Sequence, residues 1–171
     1  MSKLVCAEVK EKHLDFFSKS DSLNLNSQRL VDDFKKKYFY GFICKSEDND
    51  DDHILGYILY YYSYSTWEAR VAYISSIFLT DVDLDSKTHI FETMCLNLIE
   101  IARKMHCSRI NYNLDIVKNP LYETLFVEKI RGFNLTKLEN WTFFCMDYKE
   151  LLPFSQVDRE KFEIKCFKIV C

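Results

Sequence analysis

A chain of 171 residues, 48% of them apolar and including 14 Phe and 11 Tyr, has room for one domain with a large aromatic core. Its formal charge of −3 gives no global attraction to nucleic acid or acidic membranes, so neither is an expected partner. Seven cysteines without a C-x-x-C pair, no run approaching about 18 apolar residues, and an N-terminus that turns charged early together predict a reducing intracellular setting, cytoplasmic or nuclear.

In chain order, residues 3–20 read as a short strand followed by a helical segment. Residues 27–37 read as a helix with Leu30, Val31 and Phe34 on one side, and 38–44 as a strand of aromatic and β-branched residues. The acidic run Glu47-Asp48-Asn49-Asp50-Asp51-Asp52 reads as a solvated hairpin loop. Residues 54–64 form a long strand with tyrosines at 57, 60, 61, 62 and 64, which reads as a half-buried sheet face. Ser65-Thr66-Trp67-Glu68 turns into a strand over 71–79. From Thr88 to Met105, apolar residues recur at helical spacing as Ile90/Phe91, Met94/Cys95, Leu98/Ile99 and Ile101/Ala102/Met105, a stripe wide enough to pack on a sheet.

Residues 109–114 read as the next strand. Asn119-Pro120 opens a helix, with Asn as N-cap and Pro first in the helix, running to about Arg131 with Gly132 as its stop. Residues 141–146 read as a further strand and 148–152 as a short helical turn. The tail 155–171 alternates like a strand around Phe162 and Ile164. Antiparallel strands followed by β-α-β units predict an α/β (α+β) fold: a mixed, largely antiparallel twisted sheet with helices on both faces.

The turn before the long helix is the most informative stretch. Thr80-Asp81-Val82-Asp83-Leu84-Asp85-Ser86-Lys87 has no glycine and three carboxylates, where a phosphate-holding turn presents glycine amides and a helix N-terminus. Asp81, Asp83, Asp85 and Glu92 match positions 1, 3, 5 and 12 of an EF-hand loop, but Ser86 stands where that loop needs glycine and a strand leads into it. The carboxylates read better as helix-start residues favoured by the dipole, so no metal is expected. His106 and Cys107 are the only adjacent zinc-type ligands, too few for a zinc site. As neighbours on a strand they would point to opposite faces, which works against a Cys-His nucleophile.

The stretch Ile54-Leu55-Gly56-Tyr57-Ile58-Leu59-Tyr60-Tyr61-Tyr62-Ser63-Tyr64-Ser65-Thr66-Trp67 resembles a strand and Trp-bearing turn of the spermidine/spermine (diamine) N-acetyltransferases. Cys107-Ser108-Arg109, Asn119-Pro120, Arg131-Gly132, Trp141 and Asp147-Tyr148-Lys149-Glu150-Leu151-Leu152 follow in the order of that family, part of the GNAT superfamily. The resemblance, covering residues 54–154, implies a GNAT-like domain over 1–154, a C-terminal tail over 155–171 and a homodimer. The tail is either a contact strand for a partner or an extra strand of the protein's own sheet.

The resemblance further implies acetyl-CoA held on an Arg-Gly-x-Gly-x-Gly/Ala turn, but the aligned Asp81, Asp83, Asp85, Ser86, Lys87 and Thr88 include no glycine. The family's Glu-Asp pair, which helps deprotonate the amine, falls on Ser75 and Ser76. Its general-acid Tyr falls on Leu125 or Phe126, with an apparent insertion before Gly132 and Tyr122 one turn earlier as a weak substitute. Three missing parts together predict a pseudo-acetyltransferase, a fold kept as a protein-interaction or scaffold module without a cofactor. The alternative is an active polyamine or diamine N-acetyltransferase using acetyl-CoA, with Lys87 and the amides after it on the phosphates.

Overall fold

A computed structural model describes residues 3–19, 27–48, 53–113 and 119–139. Among these residues five strands, β1 (Leu4–Glu8), β2 (Tyr40–Ser46), β3 (Gly56–Ser65), β4 (Ala69–Leu79) and β5 (Arg109–Tyr112), lie side by side in chain order. Neighbours from β1 to β4 are antiparallel, and β5 joins β4 in parallel. A parallel step needs a long crossover, which helix α3 (Leu84–Lys104) supplies. Helices α1 (Leu14–Lys19) and α2 (Ser27–Lys35) precede β2, and α4 (Pro120–Thr124) follows β5. The mixed, mostly antiparallel sheet with helices is the predicted fold class.

Period-two alternation divides the strands between two apolar layers. Phe42, Cys44, Ile58 and Tyr60 share one layer with Ile90, Phe91, Met94 and Leu98 of α3. Ile43, Tyr57 and Leu59 share the other with Leu14, Phe17 and Leu30 of α1 and α2. The β3 tyrosines are therefore not one half-buried face. Tyr57 is fully buried and stacks on Phe78 with ring centroids 5.4 Å apart, Tyr60 lies in the opposite layer, and Tyr64 is exposed. Helix α3 crosses the sheet closely at Gly56, where a Cβ would lie 2.8 Å from the Phe78 carbonyl oxygen and 3.1 Å from both Ile90 and Met94.

Several element ends differ from the sequence reading. Helix α3 starts at Leu84 rather than Thr88, because Asp83 caps it and the polar first turn lies outside the apolar stripe. The helix after Asn119 is α-helical only to Thr124, then makes a π-type turn over Leu125–Lys129. Asn119 makes no side-chain capping bond. The left-handed residue at the far end is Arg131 (φ 58°), not Gly132. The Gly132 amide instead donates to the Phe126 carbonyl at 2.8 Å, and a side chain at Gly132 would meet that oxygen at 3.0 Å. His106 and Cys107 lie in the α3–β5 connection and not on a strand, with His106 itself left-handed (φ 54°).

By its internal contacts the chain divides into Met1–Gly132 and Phe133–Cys171. In the second unit the described residues hold α5 (Leu135–Glu139), absent from the sequence reading, with the Lys137 amide donating to the Asn134 side chain at 3.1 Å. The boundary expected after residue 154, the strand over 141–146, the turn over 148–152 and the tail 155–171 lie outside the described residues. Among the described residues no helix is long and apolar enough to cross a membrane.

Candidate functional site

Strand β4 outruns its parallel neighbour. The β4–β5 ladder runs from Val71↔Arg109 to Ile74↔Tyr112, where β5 ends, while β4 stays paired with β3 out to Leu79. At that point β4 bulges. Leu59 faces Ser76 and Tyr60 faces Ile74, so Ser75 is the extra residue. The bulge explains how Ile74 and Ile77, three apart, both face the α3-side layer, which plain alternation forbids. Beyond Ile74 the β5-side edge of β4 has no ladder partner among the described residues. Ligands of sheet proteins collect outside the carboxyl ends of parallel strands, and the end of the β4–β5 ladder is such a place.

Strand alternation shows which backbone groups face this side of β4. The Thr80 amide donates to the Leu55 carbonyl on the β3 side, so Leu79 and Ile77 point their N–H and C=O the other way. Leu79 meets a partner there: its amide donates to the phenol oxygen of Tyr122 on α4. Burial, with Tyr112 and Tyr57 nearby, pushes the Tyr122 pKa up to about 12. Its phenol thus holds its proton across the neutral range.

Leu125 and Phe126, the residues aligned with the family's general acid, are core side chains. Leu125 is fully buried, and Phe126 packs edge-on against Phe91 (5.0 Å) and beside Tyr112 (5.1 Å). A π-type turn over Leu125–Lys129 separates these residues from Gly132. That leaves Tyr122 as the hydroxyl facing β4. Ser75 is exposed at the bulge, and Ser76 is buried opposite Leu59. Neither serine ionises as a base near neutral pH.

The N-terminus of α3 follows the end of β4 and is occupied by its own loop. The Asp83 carboxylate accepts from the Ser86 amide at 2.9 Å and from the Ser86 hydroxyl at 2.7 Å. These bonds hold its pKa below the ordinary carboxylate value. Lys87 donates to Asp81 at 2.8 Å, which lowers the Asp81 pKa likewise, and the Thr88 hydroxyl turns back to the Leu84 carbonyl at 2.8 Å. Asp85 is exposed in the first helical turn. Asp81 and Asp83 are thus committed to Lys87 and Ser86, and Glu92 lies further along α3. Among the described residues no group of three His, Cys, Asp or Glu is placed to hold a metal ion.

No protein-family model matches this sequence, and no curated protein does. Solved structures do match in fold. A probable acetyltransferase is 16% identical with a TM-score of 0.62, covering 85% of this chain and 99% of its own. A ribosomal-protein-alanine N-acetyltransferase from Brucella melitensis biovar Abortus 2308 is 12% identical with a TM-score of 0.63, covering 85% of this chain and 100% of its own. An aminoglycoside N-acetyltransferase in complex with CoA is 12% identical with a TM-score of 0.61, covering 86% and 95%. The chain therefore has the fold of the GNAT acetyltransferases.

An acetyl-CoA pyrophosphate needs open amides and positive potential at a helix start. Here the Ser86 amide is engaged by a carboxylate, Lys87 by another, and a third carboxylate, Asp85, lies in the first turn.

Proposed function

We propose that this protein is a pseudo-acetyltransferase, a GNAT fold serving as a protein-interaction or scaffold module without acetyl-CoA. One observation carries the reading: the Asp83 carboxylate occupies the amide at the start of α3 that an incoming phosphate would need. A carboxylate within the same molecule, held by two hydrogen bonds, competes against any phosphate at that amide and repels it as well. The serines at 75 and 76 and the buried Leu125 and Phe126 support the same conclusion. The fold is shared with proteins named as acetyltransferases, so the proposal rests on the site and not on the fold.

Calorimetric titration with acetyl-CoA tests it. No heat of binding at millimolar cofactor is expected, and binding at micromolar strength overturns the reading. The partner is taken to be a protein, including a second copy of this chain. Pull-down with the full chain and with one cut after Phe154 then tests the tail: unchanged partners remove it from the contact.

Tyr122 favours a second reading, an active polyamine or diamine N-acetyltransferase. A phenol kept protonated beside β4 is a suitable general acid. Acetylation of spermidine that depends on Tyr122 would establish this reading in place of the first.

A further inference from the structure

We propose that Cys6 and Cys44 are a reversible dithiol/disulfide pair, a peroxide-modified site that fastens strand β1 to β2. Among the described strands the pair lies at the β1 end of the sheet, opposite the β5 end. Their 38-residue separation hides it in the sequence, but the strand register places Cys6 directly opposite Cys44.

Register also fixes the kind of pair. The Val9 amide donates to the Gly41 carbonyl at 3.0 Å and the Glu47 amide to the Lys3 carbonyl at 2.8 Å, marking 9/41 and 3/47 as hydrogen-bonded pairs. Alternation then makes 6/44 a non-hydrogen-bonded pair, the type whose side chains come closest. Cα atoms in such a pair are about 4.5 Å apart, inside the roughly 4.4–6.8 Å that a disulfide spans. Both side chains face the α3-side layer, and the two thiols interact directly with each other.

The two thiols differ in ways that assign them roles. Cys44 is fully buried, whereas Cys6 keeps partial exposure. The contact with Cys44 holds the Cys6 pKa below the usual thiol range, while the same contact and burial push Cys44 up. Cys6 is the attacking thiolate and Cys44 the resolving thiol. Burial pushes Cys95 up to about 12 and raises Cys107, so neither is activated.

The oxidant class is a small peroxide. The Cys6 thiolate attacks one oxygen of hydrogen peroxide. An S–O bond forms, the O–O bond breaks, and the departing hydroxide takes a proton to become water. The Cys44 sulfur then attacks the Cys6 sulfenic acid. The S–S bond forms, the S–O bond breaks, and the leaving hydroxide takes the Cys44 proton to give the second water. Two thiols have lost two electrons and one peroxide has gained them. A dithiol reductant reverses the bond by exchange.

The test uses the full chain treated with an equivalent of hydrogen peroxide, quenched by alkylation and mapped by mass spectrometry without reduction. A Cys6–Cys44 linked peptide is expected as the first product. Dithiothreitol should reverse it, and the oxidised protein should melt roughly 10 °C higher. Cys6→Ser should abolish both the link and the shift. The proposal is overturned if Cys6 proceeds to sulfinic acid while Cys44 stays alkylatable, if another pair links first, or if no thiol reacts before the protein unfolds. The wild-type map decides the matter by itself should Cys6→Ser fail to fold.

Discussion

At the α3 end of β4 the polar groups are turned onto their own loop, whereas on α4 Tyr122 keeps a phenol against the Leu79 backbone. The first region spends its hydrogen bonds on folding, because a helix start with a carboxylate cap is stabilised by satisfying its own free amide. The second retains a titratable group beside β4 backbone that has no ladder partner on its β5 side among the described residues. A helix N-terminus serves the helix or an anion, but a given amide does not serve both at once. A partly buried phenol faces no such conflict, since it packs as an aromatic and still holds its proton.

Emptying the first region should sharpen the contrast most. Replacing Asp81, Asp83 and Asp85 together by Gly removes the competing cap and the repulsion, and calorimetry should show CoA affinity rising by about a hundredfold or more over the wild type. An unchanged titration would mean that some other feature excludes the cofactor.

Next in size is the packing that sets α3 against the sheet. Gly56→Ala forces a methyl against the rigid Phe78 carbonyl and the Ile90 and Met94 side chains, costing about 1–3 kcal/mol in urea unfolding. A neutral result would contradict the close crossing.

Tyr122→Phe leaves the Leu79 amide without its acceptor and should cost about 1 kcal/mol near neutral pH. The sign with pH is definite. A phenol raised from its ordinary 10.0 to about 12 stabilises the fold fully below pH 10, and that stability is lost as pH rises toward 12. The variant should therefore lose less stability than the wild type over that window, as read by chemical denaturation at each pH.

The smallest effect belongs to Asp83→Ala, a modest fall in Tm through loss of the cap. The Asp83 pKa is depressed below its ordinary 3.8, so this contribution is present above that pH and lost as pH falls through the lower folded value. Wild type and variant should converge in acid, and parallel melting curves at every pH would show that Asp83 caps nothing.

Much of this architecture was legible in the residues. The strands over 38–44, 54–64 and 71–79 and the long helix follow from period-two and period-3.6 patterns, because burial of one face repeats with the backbone. The ends were less legible. The start of α3 depends on a side chain folding back to Ser86, and the end of the helix after Asn119 depends on a π-type turn that leaves the left-handed position to Arg131. α5 is too short for a periodic signal.

The sequence by itself determined the fold class, the two-sided core and the glycine-free, carboxylate-rich turn, since composition and periodicity are local properties of the chain. Tertiary structure decided what those residues do. It put the β4 bulge at Ser75, withdrew Leu125 and Phe126 into the core, brought Tyr122 to Leu79 and set Cys6 across from Cys44. Each of these is a meeting of residues far apart in the chain or a shift of register. Both depend on how strands pair and helices pack, which no single segment encodes.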